Sequence, residues 1–126
     1  MSNTTKYVFQ MDPRFSPLDL IDIPKLAEEC RETWFNQTLG RVNDCVVRLG
    51  ILQGEFHWHL HDVEDEFFYV VSGALWLDLE ERSVELKPNQ GLVVPRGVRH
   101  RTRAPQRTVV LMMEGSGVKP EGDGGM

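Results

Sequence analysis

Residues 54–66 read Gly54-Glu55-Phe56-His57-Trp58-His59-Leu60-His61-Asp62-Val63-Glu64-Asp65-Glu66. Side chains alternate between the two faces of a strand, so this stretch predicts a strand over Glu55 to His61 with His57, His59 and His61 on one face and Phe56, Trp58 and Leu60 on the other. Neighbours on one face stand about 6.4–6.8 Å apart, near enough for two imidazoles to reach one ion, and the next strand can bring Glu66 back beside them. A lone histidine is most often an ordinary surface or core residue. Here three of the chain's four share a strand face, with a carboxylate just beyond. Imidazole nitrogens joined by one carboxylate oxygen suit a single divalent first-row ion: Fe, Mn, Ni, Cu or Zn.

The fourth histidine stands at the end of Lys87-Pro88-Asn89-Gln90-Gly91-Leu92-Val93-Val94-Pro95-Arg96-Gly97-Val98-Arg99-His100. An apolar strand runs into a Pro-x-Gly turn, and the turn delivers His100 to the start of the following strand. From Arg41 onward, short apolar runs alternate with turn signals. They predict strands at 44–53, 55–61, 66–72, 74–80, 83–86, 91–94, 100–103 and 108–114, the texture of an all-β barrel or jelly roll. Residues 1–40 read as an N-terminal arm packed on the barrel of 41–114. The arm holds a short strand near Tyr7–Met11 and, because proline is tolerated in a first helical turn, a helix from about Pro24 to about Glu32. Trp34 and Phe35 are placed to anchor it. Residues 115–126, with five glycines and little apolar surface, read as a flexible tail whose removal is expected to be silent.

Together these stretches resemble the cupin superfamily, whose two motifs have the form G(X)5HXH(X)3-4E(X)6G and G(X)5PXG(X)2H(X)3N. His59-Leu60-His61, four intervening residues, Glu66, six more and Gly73 match most of the first; Pro95-Arg96-Gly97-Val98-Arg99-His100 matches the middle of the second. Gly54 stands one residue closer to His59 than the motif has it. Asn89 replaces the second motif's leading glycine, a mild change because Asn tolerates left-handed backbone, and Ala104 replaces its closing asparagine. His57, His59 and Glu64 repeat the first spacing but meet Val71 where a glycine is due, so the resemblance implies His59, His61, Glu66 and His100 as metal ligands. His57 is left to line the pocket or shuttle a proton, and Glu66 can double as a base. The chain is also similar to small single-domain bacterial cupins over about 34–114. The resemblance implies a metalloenzyme acting on a small organic substrate, with dioxygenase chemistry placed slightly ahead of isomerase or lyase chemistry; a non-catalytic binding or sensing module is the alternative.

Composition sets outer bounds. The 126 residues are 40% hydrophobic and 26% charged, which suits one globular domain. No apolar run approaches the roughly 18–20 residues of a membrane span, and the N-terminus has no basic region followed by an apolar one. A cytoplasmic protein with free Cys30 and Cys45 is expected. The net charge of −5 argues against nucleic acid as a partner. Arg96, Arg99, Arg101, Arg103 and Arg107 crowd together, but alternation from His100 turns Arg99, Arg101 and Arg103 outward. An outward Phe56-Trp58-Leu60 stripe would need cover, and a homodimer supplies it.

Overall fold

In the computed structural model, which describes residues 6–120 and 122, the elements are β1 (Tyr7–Gln10), α1 (Ile23–Glu29), β2 (Trp34–Val42), β3 (Cys45–Glu55), β4 (Glu66–Ser72), β5 (Leu75–Leu79), β6 (Ser83–Leu86), β7 (Gly91–Val94) and β8 (His100–Gly115). β8 is the spine. Its first residues pair with β5, from His100 opposite Leu79 to Arg103 opposite Trp76, and its second half pairs with β4, from Val109 opposite Ser72 to Glu114 opposite Glu66. β3 runs antiparallel to both halves, and β2 and β1 extend the sheet beyond it. One strand thus joins two parts of the sheet and curls them into the expected jelly-roll barrel.

Alternation assigns the faces. Leu52, Phe68, Val70, Val110 and Met112 point into the barrel with Trp34, Leu75 and Leu77, while Leu49, Ile51 and Val109 point the other way and are covered by Leu26 of α1 and by Leu39. The helix forms where proline is cheap. Asp22 caps it by accepting from the Lys25 N–H at 3.2 Å, and Pro24 sits in the first turn. It stops at Glu29, short of the expected Glu32. Arg107 then takes up carbonyls left open there, donating to Ala27, Cys30 and Glu32 at 3.1, 3.0 and 3.2 Å, and so ties the arm to β8. No helix among the described residues is long and apolar enough to cross a membrane.

Four expectations change. First, residues 56–61 are not a regular strand. A register shift between Leu52 and Gly54, where Gly54 takes φ 115°, precedes the end of β3 at Glu55. Beyond it the chain is tied to β8 by one bond from Phe56 N–H to Thr102 O and by a reciprocal pair between His59 and His100. Phe56 continues the inward phase of Leu52, is 6% exposed and stacks on Trp34 at 5.3 Å; the phase then breaks, which lets His59 and His61 face inward as well. The outward stripe therefore loses Phe56, and Trp58 lies under the guanidinium groups of Arg99 and Arg101 at 5.0 and 5.4 Å. Second, β2 belongs to the sheet and not to an arm packed on it. Its Asn36, Gln37 and Thr38 are all buried, so no alternation marks it. Third, 100–103 and 108–114 form one strand. Fourth, the tail docks through its described residues. Val118 is 4% exposed and its carbonyl accepts from Arg48 at 3.3 Å, so one apolar side chain and one buried donor hold what composition alone would release. Residue 121 and residues 123–126 lie outside the described residues.

The arginine cluster faces outward as alternation requires, and it meets an acid. Asp78 on β5 accepts from Arg103 Nε and Nη2 at 2.8 and 2.9 Å, from Arg101 Nε at 2.8 Å and from Ser83 Oγ at 2.6 Å. The Arg103 hydrogen bonds, helped by Ser83 and Arg101, outweigh burial and hold this carboxyl well below the usual range. A depressed carboxylate contributes stability that is complete above its unfolded value near 3.8 and is lost as pH falls below it. Denaturant unfolding of Asp78→Asn should accordingly lose less stability than the parent between pH 5 and pH 3 (a window of about one unit either side of that value). Equal acid sensitivity of the two proteins would remove Asp78 from the account.

Candidate metal centre

Each site histidine owes its position to a local device. The Pro95-Arg96-Gly97 turn carries Gly97 at φ 78°, and its N–H donates to His61 O at 2.8 Å, while the Arg96 N–H donates to Asp65 Oδ1 at 2.9 Å. The two motif segments are clamped together at the barrel mouth before any ion is considered. His100 begins β8 with 1% exposure, and reciprocal backbone bonds with His59 at 2.8 and 2.9 Å set the two rings side by side. Glu66 opens β4 on its inward face. Asn89 takes φ 68°, the left-handed backbone expected of it as a glycine replacement, and Ala104 is buried in the core beside Gly54.

The four side chains converge: one ligand atom from each of His59, His61, Glu66 and His100 lies within 4.8 Å of the others. Two rings have their tautomers set by the backbone, since a carbonyl can only accept. His59 Nδ1 donates to His57 O at 3.0 Å and His100 Nδ1 donates to Val98 O at 2.9 Å, in each case to the residue two positions earlier. In the neutral rings Nε2 is left with its lone pair. Glu66 Oε1 stands 3.3 Å from His61 Nε2 and 3.5 Å from His100 Nε2. Neither Glu66 Oε1 nor His100 Nε2 makes a well-formed hydrogen bond among the described residues, although both are buried. A carboxylate oxygen aimed at an imidazole lone pair is repulsive unless a proton or a cation stands between them. The donor set therefore fits a divalent ion held by three nitrogens and an oxygen.

Electrostatics agree with that fit. Burial pushes the His59 imidazole down to about 4, against the opposing effect of its bond to His57 O, so the ring is neutral at neutral pH, as a ligand must be. Burial alone would raise Glu66, but its contacts with His100 and His61, and then with Glu114, outweigh it and hold the carboxyl below the usual range. Glu114, the cross-strand partner of Glu66, is pushed up by burial and by the Glu66 charge, so the proton of this pair rests on Glu114. Arg48, 1% exposed, stands 3.4 Å from Glu114 Oε2 and balances the pair's remaining charge.

Alternation in the sequence could not find Arg48 and Glu114, because each becomes part of the site only through pairing with a distant strand. His57 lies elsewhere than the ligands: its side chain is exposed, its ring is 5.4 Å from that of His59, and it is its carbonyl that supports the site. A narrow pocket beside the centre is lined by Phe9, Trp34, Phe56 and Phe68 among apolar residues, by Asn36 and Thr102 among polar ones, and by His59 and Glu66.

Comparisons with known proteins match this picture. The Cupin_2 family model, described as a cupin domain, matches residues 47–114. The uncharacterized protein YdbB of Bacillus subtilis is 41% identical over 90 residues, 71% of this chain and 80% of that protein. Protein SchB of Streptomyces halstedii is 41% identical over 66 residues, but these are 52% of this chain and 46% of that protein. Among solved structures, a cupin-2 domain protein from Shewanella frigidimarina superposes with a TM-score of 0.73 at 26% identity, covering 76% of this chain and 94% of that one. KdgF from a Halomonas species superposes at 0.60 with 22% identity, covering 67% and 79%, a likeness of fold.

Proposed function

We infer that this chain, which belongs to the Cupin_2 family of cupin domains, is a mononuclear metalloenzyme acting on a small organic substrate held at the barrel mouth. The observation that carries the reading is the convergence of four ligand atoms within 4.8 Å, with Glu66 Oε1 and His100 Nε2 buried and without well-formed hydrogen bonds. His59, His61, Glu66 and His100 would hold the ion. Such an ion supplies Lewis acidity or oxygen activation, and four protein ligands leave room for a further donor. The backbone carbonyls of His57 and Val98 keep Nδ1–H of His59 and His100 occupied, so both rings present Nε2 inward. Phe9, Trp34, Phe56 and Phe68 give the neighbouring pocket an apolar wall, and Asn36 Oδ1, buried without a hydrogen-bond partner among the described residues, is available to a donor on the substrate. Within this reading dioxygenase chemistry stands slightly ahead of isomerase or lyase chemistry, and Glu66 would serve as a base only on leaving the ion. Metal analysis of protein purified without chelators tests it: one transition ion per chain supports the reading, and a folded chain that takes up none sinks it. The alternative, a non-catalytic binding or sensing module, predicts that a ligand recovered from the loaded protein leaves chemically unchanged.

We also propose a homodimer, through a different surface from the stripe expected from sequence. Phe67, Val93 and Met113 are exposed neighbours on three paired strands of the outer sheet face, and a contiguous apolar row of this kind marks a contact surface. In sedimentation measurements Phe67→Glu should dissociate the assembly and Trp58→Glu should leave it intact; a parent chain that sediments as a 14.5 kDa monomer at micromolar concentration would end the proposal.

A further inference from the structure

We propose that the C-terminal strap, residues 116–120 and 122, is the wall of the metal pocket that sets which ligands reach His59; the inference rests on the reading of that pocket as a metal-centred ligand site. After β8 the chain turns back over the barrel. Ser116 N–H donates to Asp44 O at 3.0 Å, Val118 N–H to Gly115 O at 3.0 Å and Gly122 N–H to Lys119 O at 2.9 Å, so two tight turns follow in succession. The anchor between them is Val118, whose buried side chain and Arg48-bound carbonyl fix the strap to the barrel. Beyond the anchor the chain reaches the site. Pro120 lines the same pocket as His59 and Glu66, and Gly122 packs on His59 itself.

The contact at Gly122 admits no side chain. A Cβ there would fall 2.5 Å from His59 Cβ and 2.9 Å from Cγ and Cδ2, and the backbone takes φ 93°, which glycine adopts at little cost. Apart from Phe9 on the edge strand β1, the rest of the apolar wall is core: Trp34, Phe56 and Phe68 are buried and can yield little. The strap is the part held by one apolar side chain and a few hydrogen bonds, and it is therefore the part whose position decides ligand size. A ligand small enough to pass beneath Pro120 binds with the strap seated, whereas a larger one must displace it and bears that cost in affinity.

The test uses the full chain, Gly122→Val, which forces the strap end off His59 while keeping the Val118 anchor, and a chain ended at Gly115. In the metal-free proteins, histidine modification by diethyl pyrocarbonate is followed residue by residue by mass spectrometry. His59 should react at least about tenfold faster in both variants, as expected if the strap is seated most of the time, with the exposed His57 unchanged and the buried His100 still protected. Gly122→Val decides the matter if the shortened chain unfolds. In the cobalt(II)-loaded proteins, benzohydroxamate should bind at least about tenfold more tightly to the variants than to the full chain, while azide, a three-atom ligand, should change little. An unchanged His59 rate in Gly122→Val, or a benzohydroxamate affinity that follows azide, overturns the strap. A full chain that binds no cobalt while His59 still responds would instead overturn the metal reading and leave the strap as a cover on His59.

Discussion

His61→Ala and His100→Ala are expected to yield folded protein with almost no bound metal, His59→Ala the same, and His57→Ala protein with most of its metal retained. The first three each remove one of the four converging ligand atoms. Loss of a mere supporting partner typically costs roughly 10- to 100-fold in metal affinity, so loss of a ligand should cost more. His57 supports His59 through its carbonyl, which alanine preserves. The measurement is elemental analysis of the four variants beside the parent, with circular dichroism to show that each folds. A metal-free His57→Ala together with a fully loaded His61→Ala would mean that the ligand register is shifted by two residues along the chain.

Gly73→Ala should be among the most damaging small substitutions in this protein. Gly73 takes φ 86°, where a side chain costs about 1–2 kcal/mol. The added Cβ would also fall 2.5 Å from Thr108 Oγ1, 2.7 Å from Arg107 O and 2.8 Å from Thr108 Cα. Thr108 cannot withdraw without loss, because its hydroxyl bridges Ala74, accepting from the N–H at 3.1 Å and lying 3.0 Å from the carbonyl. Crowding of backbone adds about 1–3 kcal/mol, so the total should reach about 2–5 kcal/mol, or on the order of 10 °C or more in Tm. Gly97→Ala is the internal control, since φ there is 78° but no atom stands within 4 Å of the new Cβ. It should show the conformational cost alone. Equal losses for the two variants would remove the crowding argument.

Gly73 also shows why the ligand set was legible in the sequence. The spacing from His59 and His61 through Glu66 to Gly73 is a string of local constraints: inward side chains, one strand of fixed length, then a turn only glycine fits. Each of these is carried by a few consecutive residues, and so are Pro24 at the helix start and the Pro95-Arg96-Gly97 turn. The outward placement of Arg101 and Arg103 follows from alternation along β8, and the structure keeps it.

What the sequence could not determine lies wherever long-range pairing overrides local pattern. Alternation through residues 55–61 assumed a continuous strand; β3 ends at Glu55 with Phe56 still in the inward phase of Leu52, and the break in phase beyond Phe56 brings His59 and His61 inward beside it. β2 hides because burial of Asn36, Gln37 and Thr38 is imposed by strands and loops far along the chain. The tautomers of His59 and His100, the Arg48–Glu114 support beneath Glu66 and the docking of Val118 likewise depend on atoms brought together only by the fold. The sequence by itself determined the family, the strands with strong turn signals and the identity of the four converging residues. The tertiary structure alone decided which way each ring points, what holds it there and what closes over it, because those are contacts between residues that local periodicity does not relate.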